Sequence, residues 1–293
     1  MIEFLFLDLD DTILDFHKAE KIAISKTFRE FGIDPTDEVL QRYSQINKSC
    51  WHKLELGLWT REQVLVRRFE LLFAEYGIAQ EGTPVARAYE RNLGIGHWFL
   101  PGAEEAVDTL SKKYRLFLAS NGTASVQKGR MTSANLYRFF EKVFVSQELG
   151  ANKPSPEFFL RATEQIPGYD PARAMMVGDS LTSDIQGGRG AGMKTCWVNP
   201  RHLPADPAIP ADYEIESLAQ LEALLDTLKF SFCQSRTCTG LRISMVSSVT
   251  LQSIARISTP ASAASLSALP KSGSVISLGC RYFTSAIWIT KST

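Results

Sequence analysis

Five short runs decide what this chain can fold into: FLFLDL (4–9), RLFLAS (115–120), KVFVS (142–146), AMMVGD (174–179) and KTCWVN (194–199). Each is apolar almost throughout instead of alternating with polar residues, so as a strand it must bury both faces. Helix-period segments separate them: AEEAVDTLSKK, SVQKGRMTSAN, SPEFFLRATEQ, SDIQGGRGAG and SLAQLEALLDTL, with YEIES (213–217) a weaker sixth strand. This alternation predicts an α/β fold, a doubly wound parallel sheet covered by helices. Ligands of such sheets bind beyond the carboxyl ends of the strands.

The alternation stops between Phe16 and about Gly96. Helical patterns recur there instead: HKAEKIAISKTFREF, TDEVLQRYSQINKSCW and REQVLVRRFELLFAEYG. A connection that long is an inserted helical unit and not a loop. The expected layout is therefore a core of 1–15 and 97–230, a helical insert of 16–96 and a tail of 231–293. The tail contains no Asp or Glu and six of the 32 basic residues. The first 230 residues thus carry 26 basic and 32 acidic groups, 26 − 32 = −6, against +6 in the tail. Dense in Ser and Thr and with little periodicity, the tail reads as a disordered extension or as a segment foreign to the body.

Composition narrows the partners. Net charge is zero, and the basic excess of a nucleic-acid binder is missing. No apolar run is long enough to span a bilayer, and Asp8 interrupts the apolar start too early for a signal peptide. Five scattered cysteines fit a reducing compartment, which points to the cytoplasm. A monomer and a homodimer are equally compatible with the sequence.

Four of the predicted strands end in a chemically equipped loop. Asp8, Asp10, Asp11 and Thr12 follow the first; Ser120, Asn121 and Gly122 the second; Lys153-Pro154 the third; Gly178, Asp179, Ser180, Ser183 and Asp184 the fourth. A parallel sheet brings all four to one crevice. Asp8, Asp179 and Asp184 would repel one another unless a hard cation sat among them, and oxygen-only ligands favour Mg²⁺. Lys153 adds positive charge, while Ser120 and nearby backbone N–H groups can hold phosphate oxygens. Period-two spacing along an extended strand places Asp8 and Asp10 on one side, so one can attack phosphorus while the other handles the leaving-group proton. Asp11 and Thr12 read as turn or helix caps.

The set DLDDT, LASNG, NKPSPEFF and GDSLTSDIQGGRGAG resembles the four motifs of the haloacid dehalogenase (HAD) superfamily, in order over about residues 1–228. That resemblance implies a Rossmann-like core with a helical cap and an aspartyl-phosphate mechanism. Asp8 would be nucleophile and metal ligand, and Asp10 acid and then base, with its carbonyl on the metal. Ser120 and Asn121 would bind phosphate, Lys153 would stabilise charge, and Asp179 and Asp184 would hold or support Mg²⁺. The superfamily also removes halide, a leaving group that needs neither proton nor cation; the acid at Asp10 and the extra carboxylates favour phosphomonoester hydrolysis.

The cap sets the substrate. INKSCWHKLELGLWTREQVLVRRFE and SDIQGGRGAGMKTCWVNP resemble the pyrimidine 5′-nucleotidase branch of the superfamily. This implies a nucleoside monophosphate, with phosphoglycolate or a sugar phosphate as alternatives and a catalytically silent binding protein as the alternative outside the enzymes. Asn47 and Trp51, four apart and so on one helix face, are the expected base-pocket residues. The hinges are expected at Asp15–His17 and Gly94–Gly96.

Overall fold

The computed structural model describes residues 1–237, 275–277 and 286–288. Six strands form a parallel sheet: β1 (Phe4–Leu7), β2 (Arg115–Ser120), β3 (Lys142–Val145), β4 (Ala174–Gly178), β5 (Lys194–Val198) and β6 (Tyr213–Ile215), in the order β3-β2-β1-β4-β5-β6. Strand side chains alternate between two buried layers. Leu5, Leu7, Leu116, Leu118, Met175 and Val177 pack on one face. Phe4, Phe6, Phe117, Phe144 and Met176 pack on the other, where the Phe6 and Phe117 rings stack with centroids 5.1 Å apart. The α/β expectation holds, with β1 central.

Between β1 and β2 the chain builds the helical insert: α1 (Phe16–Glu30), α2 (Asp37–Glu55), α3 (Arg61–Tyr76) and α4 (Gly82–Leu93). Its first three helices follow the expected segments. The fourth, GTPVARAYERNL, begins with Gly and Pro, which mimics a turn; Pro is tolerated there because first-turn N–H groups lack helical partners anyway. Thr60 caps α3 in a reciprocal box with Gln63, and Gly77 ends it in the left-handed conformation. Phe28, Tyr43, Phe69, Leu72 and Tyr89 form a core belonging to the insert itself.

The two chain crossings between insert and sheet hold each other. Asp15 N–H donates to the Trp98 carbonyl at 2.8 Å, and Leu100 N–H to that of Ile13 at 2.9 Å. Asp15 also accepts from Lys18 N–H as the N-cap of α1. The remaining helices are α5 (Ala103–Ser111), α6 (Ala124–Ser133), α7 (Ser146–Leu149), α8 (Pro156–Thr163), α9 (Gln186–Gly190) and α10 (Leu221–Thr237). A π-helical turn, Leu181–Ile185, precedes α9. Helix α10 continues past residue 230, where the composition changes. Residues 241–293 form a separate unit containing an antiparallel pair, Val275–Ser277 with Ala286–Trp288; the rest of the expected disordered tail lies outside the described residues.

Helix α6 meets the returning hinge through a glycine. A Cβ on Gly129 would lie 2.4 Å from the Gly94 carbonyl oxygen. Ala normally stabilises a helix interior by about 1 kcal/mol over Gly. Here backbone stands in the way, and Gly129→Ala should instead lower stability by about 1–3 kcal/mol. Denaturant unfolding of the two proteins measures the sign.

Candidate active site

The carboxyl ends of β1, β2 and β4, with the loop after β3, meet at a cavity of about 210 Å³ whose wall includes Asp8, Asp10, Ser120, Lys153, Asp179 and Asp184. Each arrives for a structural reason. Strand β1 stops at Leu7, two residues earlier than its sequence suggests, and the chain turns with Asp11 at φ 56°. Asp11 accepts from Phe16 N–H at 3.0 Å, the capping role expected of it. Asp8 and Asp10 lie past the last residue of β1 and before the turn at 11–13, and both line the cavity, on one side as the period-two spacing expects.

Asp8 faces Lys153, whose Nζ donates to Asp8 Oδ1 at 2.7 Å, to Asp184 Oδ1 at 2.7 Å and to the Ala119 carbonyl at 2.5 Å. All three ammonium hydrogens are thereby spent, and the two carboxylates hold the ammonium above its ordinary pKa despite its burial. Asp184 also accepts from Ser180 N–H at 3.1 Å. Gly178 makes room for it, since a Cβ there would fall 2.2 Å from Asp184 Oδ2.

Asp8, Asp179 and Asp184 each offer an oxygen within 4.8 Å of the others. Burial and the neighbouring carboxylates push Asp179 well above the usual carboxylate range. Burial pushes Asp8 from 3.8 to about 7, with Lys153 opposing and Asp184 and Asp10 adding to the rise. Three carboxylates against one ammonium leave about two negative charges without a local counter-charge. A divalent cation with oxygen preference fits this donor set.

The loop after β2 is also held by hydrogen bonds. Ser120 Oγ accepts from Gln127 Nε2 at 2.8 Å and from Gly122 N–H at 3.1 Å. Both lone pairs are used, so the hydroxyl hydrogen is free to be donated into the cavity. Asn121 spends its side chain on Lys153, accepting from its N–H and donating to its carbonyl, each at 2.8 Å. Its amide is thus a clasp between two loops.

Three arginines and a glutamine complete the site and have no motif of their own. Fully buried Arg130 pairs through Nη1 with Asp10, while Gln127 Nε2 donates to the other Asp10 oxygen at 2.7 Å. Arg68 lines the cavity from the insert, and Arg61 reaches across to the Asn121 and Gly122 carbonyls. Trp51 lines the cavity, as expected of a base-pocket residue, but Asn47 does not. Its amide donates to Glu20 at 2.6 Å and accepts from Arg68 at 3.0 Å. The i, i+4 spacing places both on α2, yet the buried Glu20 claims Asn47 for the interior of the insert.

Residues 2–192 match the model of the haloacid dehalogenase-like hydrolases. The chain belongs to this family. Among its relatives is the HAD-hydrolase YfnB of Bacillus subtilis (strain 168), 37% identical over 222 residues, which covers 76% of this chain and 94% of YfnB. A crystal structure of YfnB bound to magnesium superposes with a TM-score of 0.74 over 76% of this chain and 98% of that one. Pyrimidine 5′-nucleotidase PynA of Streptococcus pneumoniae is 36% identical over 225 residues, 76% of this chain and 95% of PynA. Pyrimidine 5′-nucleotidase YjjG of Escherichia coli (strain K12) is 29% identical over 223 residues, 76% of this chain and 97% of YjjG. The six-stranded sheet and four-helix insert are the HAD core and cap.

The carboxylate cluster makes stability depend on pH in a defined direction. Asp8 binds its proton more tightly folded, near pH 7, than unfolded, near pH 3.8. The metal-free protein should be most stable below about pH 4 as far as this group is concerned, and lose that contribution as pH rises through about 7. Asp179→Asn, which removes one of the crowded charges, should raise the metal-free melting temperature at pH 8 by about 2–5 °C and weaken the further rise that Mg²⁺ produces. Thermal melts at pH 5 and 8, with chelator and with Mg²⁺, measure both effects.

Proposed function

We propose that this HAD hydrolase cleaves phosphate monoesters through a phosphorylated Asp8, and that its substrate is a pyrimidine nucleoside 5′-monophosphate. Asp8 attacks phosphorus, and Asp10, oriented by Gln127 and Arg130, protonates the departing ester oxygen. Asp10 then takes a proton from water, whose oxygen displaces phosphate from Asp8 and regenerates the carboxylate. Mg²⁺ held by Asp8, Asp179 and Asp184, with the Asp10 carbonyl, would neutralise charge on the phosphoryl oxygens. Ser120 O–H and the Asn121 main chain face those oxygens, and Lys153 favours the ionised form of Asp8 and holds it in place. The observation that carries the phosphatase reading is the pairing of an acid at Asp10 with a carboxylate triad suited to a divalent cation. Halide release requires neither.

For the leaving group, the cavity wall includes the aromatic Trp51 and two polar residues of the insert, Glu90 and Arg68. One accepts and one donates. A pyrimidine nucleoside supplies the complement, an aromatic plane with ring N–H and carbonyl groups. The relatives named pyrimidine 5′-nucleotidases support the same reading.

Phosphate release from an aryl phosphate should require Mg²⁺ and fall by about 10³-fold or more in Asp8→Asn. In a screen of pyrimidine and purine monophosphates, sugar phosphates and phosphoglycolate, UMP or a close analogue should give the highest kcat/KM. Trp51→Ala and Glu90→Ala should each raise KM for UMP by about tenfold while changing KM for the aryl phosphate about twofold or less. Preference for phosphoglycolate or a sugar phosphate would overturn the nucleotide assignment and leave the phosphatase standing.

A further inference from the structure

Glu55, the last residue of α2, lines the cavity from an unfavourable place for a carboxylate. A helix C-terminus carries the negative end of the dipole and favours cations. Glu55 follows Trp51 by four residues and so shares its face of the helix. Its side chain is only 20% exposed. Thr182 Oγ1, in the π-helical turn between Asp179 and α9, donates to Glu55 Oε2 at 3.1 Å, and His52 Nδ1 lies 3.5 Å from the same oxygen. Oε1 has no hydrogen-bond partner among the described residues.

The cavity as a whole is short of positive charge. Seven carboxylates line it against three cations, Arg68, Arg130 and Lys153, a formal charge of 3 − 7 = −4 that a divalent cation only halves. The three cations are already engaged. Lys153 is held by Asp8 and Asp184, and Arg130 by Asp10. Buried Arg68 donates to Asn47, which in turn donates to the carboxylate of Glu20, so Glu20 offsets Arg68 at one remove. Glu55 has no Lys or Arg partner among the described residues, and its basic neighbour His52 is more than half exposed. Burial pushes the Glu55 carboxyl above its usual range, with Thr182 and His52 opposing and Asp184 adding to the rise. A cation beside Asp184 would reverse that last effect.

A second anionic group on the leaving side of a phosphate ester would therefore meet Glu55 with no free cation to receive it. Like charges repel most strongly where water screens them least. We infer that Glu55 is a specificity-determining residue that bars phosphate esters whose leaving group carries a further negative charge and admits those whose leaving group is neutral. A hydroxyl or ring N–H of a neutral leaving group can donate to Oε1, whereas a carboxylate or a second phosphate offers only acceptors. Selectivity of this kind comes from a penalty on the wrong ligand as much as from contacts to the right one. The inference rests on the phosphatase reading for the reacting end of the substrate and is independent of which neutral leaving group is preferred.

Two pairs of esters that differ in charge test the filter: hydroxyethyl phosphate against phosphoglycolate, and fructose 6-phosphate against fructose 1,6-bisphosphate. With Mg²⁺ the wild type should favour the less charged member of each pair by about tenfold or more in kcat/KM. Glu55→Gln keeps the shape of the side chain and an acceptor for Thr182; it should cut that preference by about fivefold or more, while Glu55→Asp should keep most of it. A purely structural role would change both members of a pair alike. Calorimetric binding of the same esters to Asp8→Asn with Mg²⁺ should show the same order in Kd. A preference in E55Q within about twofold of the wild type's, or its loss in E55D as well as in E55Q, would sink the filter. Should E55Q not fold, the wild-type kinetics and the Asp8→Asn binding decide alone, and equal values within each pair overturn the proposal. Turnover of both members with equal efficiency overturns the filter alone, whereas a tenfold preference in binding with no phosphate released from any ester overturns the phosphatase reading alone.

Discussion

The ammonium of Lys153, buried between Asp8 and Asp184, is the interaction around which the site is organised. A buried carboxylate alone would take up a proton and cease to be a nucleophile. Two carboxylates sharing one ammonium keep part of their charge, at the cost of burying three ionised groups. The sheet meets that cost structurally. Lys153 arrives from the loop after β3, Asp8 from β1 and Asp184 from beyond β4, so the triad joins points 145 and 31 residues apart in sequence. Replacing Lys153 would leave two buried carboxylates without a local counter-charge.

Around that centre the sheet and the insert each have a hydrophobic core, and Val126 of α6 packs into the insert's. The sheet has apolar layers on both faces, and the cap has its own aromatic core. Contacts across the boundary include Arg61 to the phosphate loop and Thr182 to Glu55 at 3.1 Å. Hydrogen bonds of this kind can be exchanged for water far more cheaply than an apolar core can be opened. The cavity lies between sheet and insert, with Asp8 and Lys153 on one side and Trp51 and Arg68 on the other.

Most of the strand and helix pattern was legible because apolar runs must be covered on both faces. The misses have local causes. Helix α4 opens with Gly-Thr-Pro and looks like a turn until its apolar face is seen packing on α1 and α3. Strand β1 ends at Leu7 because the chain turns soon after, with Ile13 and Leu14 N–H bonded back to the Leu9 carbonyl and Asp11 at φ 56°. Asp8, Asp10, Lys153, Asp179 and Asp184 could be picked out as a group because all of them follow predicted strands, β1, β3 or β4. Arg61, Arg68, Gln127 and Arg130 could not: they occupy ordinary helical positions, where a basic or amide residue usually faces water. Asn47 failed for the opposite reason, since helical spacing says which face it shares with Trp51 but not that Glu20 lies opposite.

The sequence by itself determined a parallel α/β sheet with a helical insert and an acidic, lysine-containing site at its strand ends, because strand periodicity and loop position are properties of neighbouring residues. Only the tertiary structure decided which charges are paired. Asp10 belongs to Arg130, Lys153 is divided between Asp8 and Asp184, and Arg61 is buried with neutral acceptors alone. Coulomb energy depends on distance through the folded protein and on exposure to water, and neither is a function of separation along the chain.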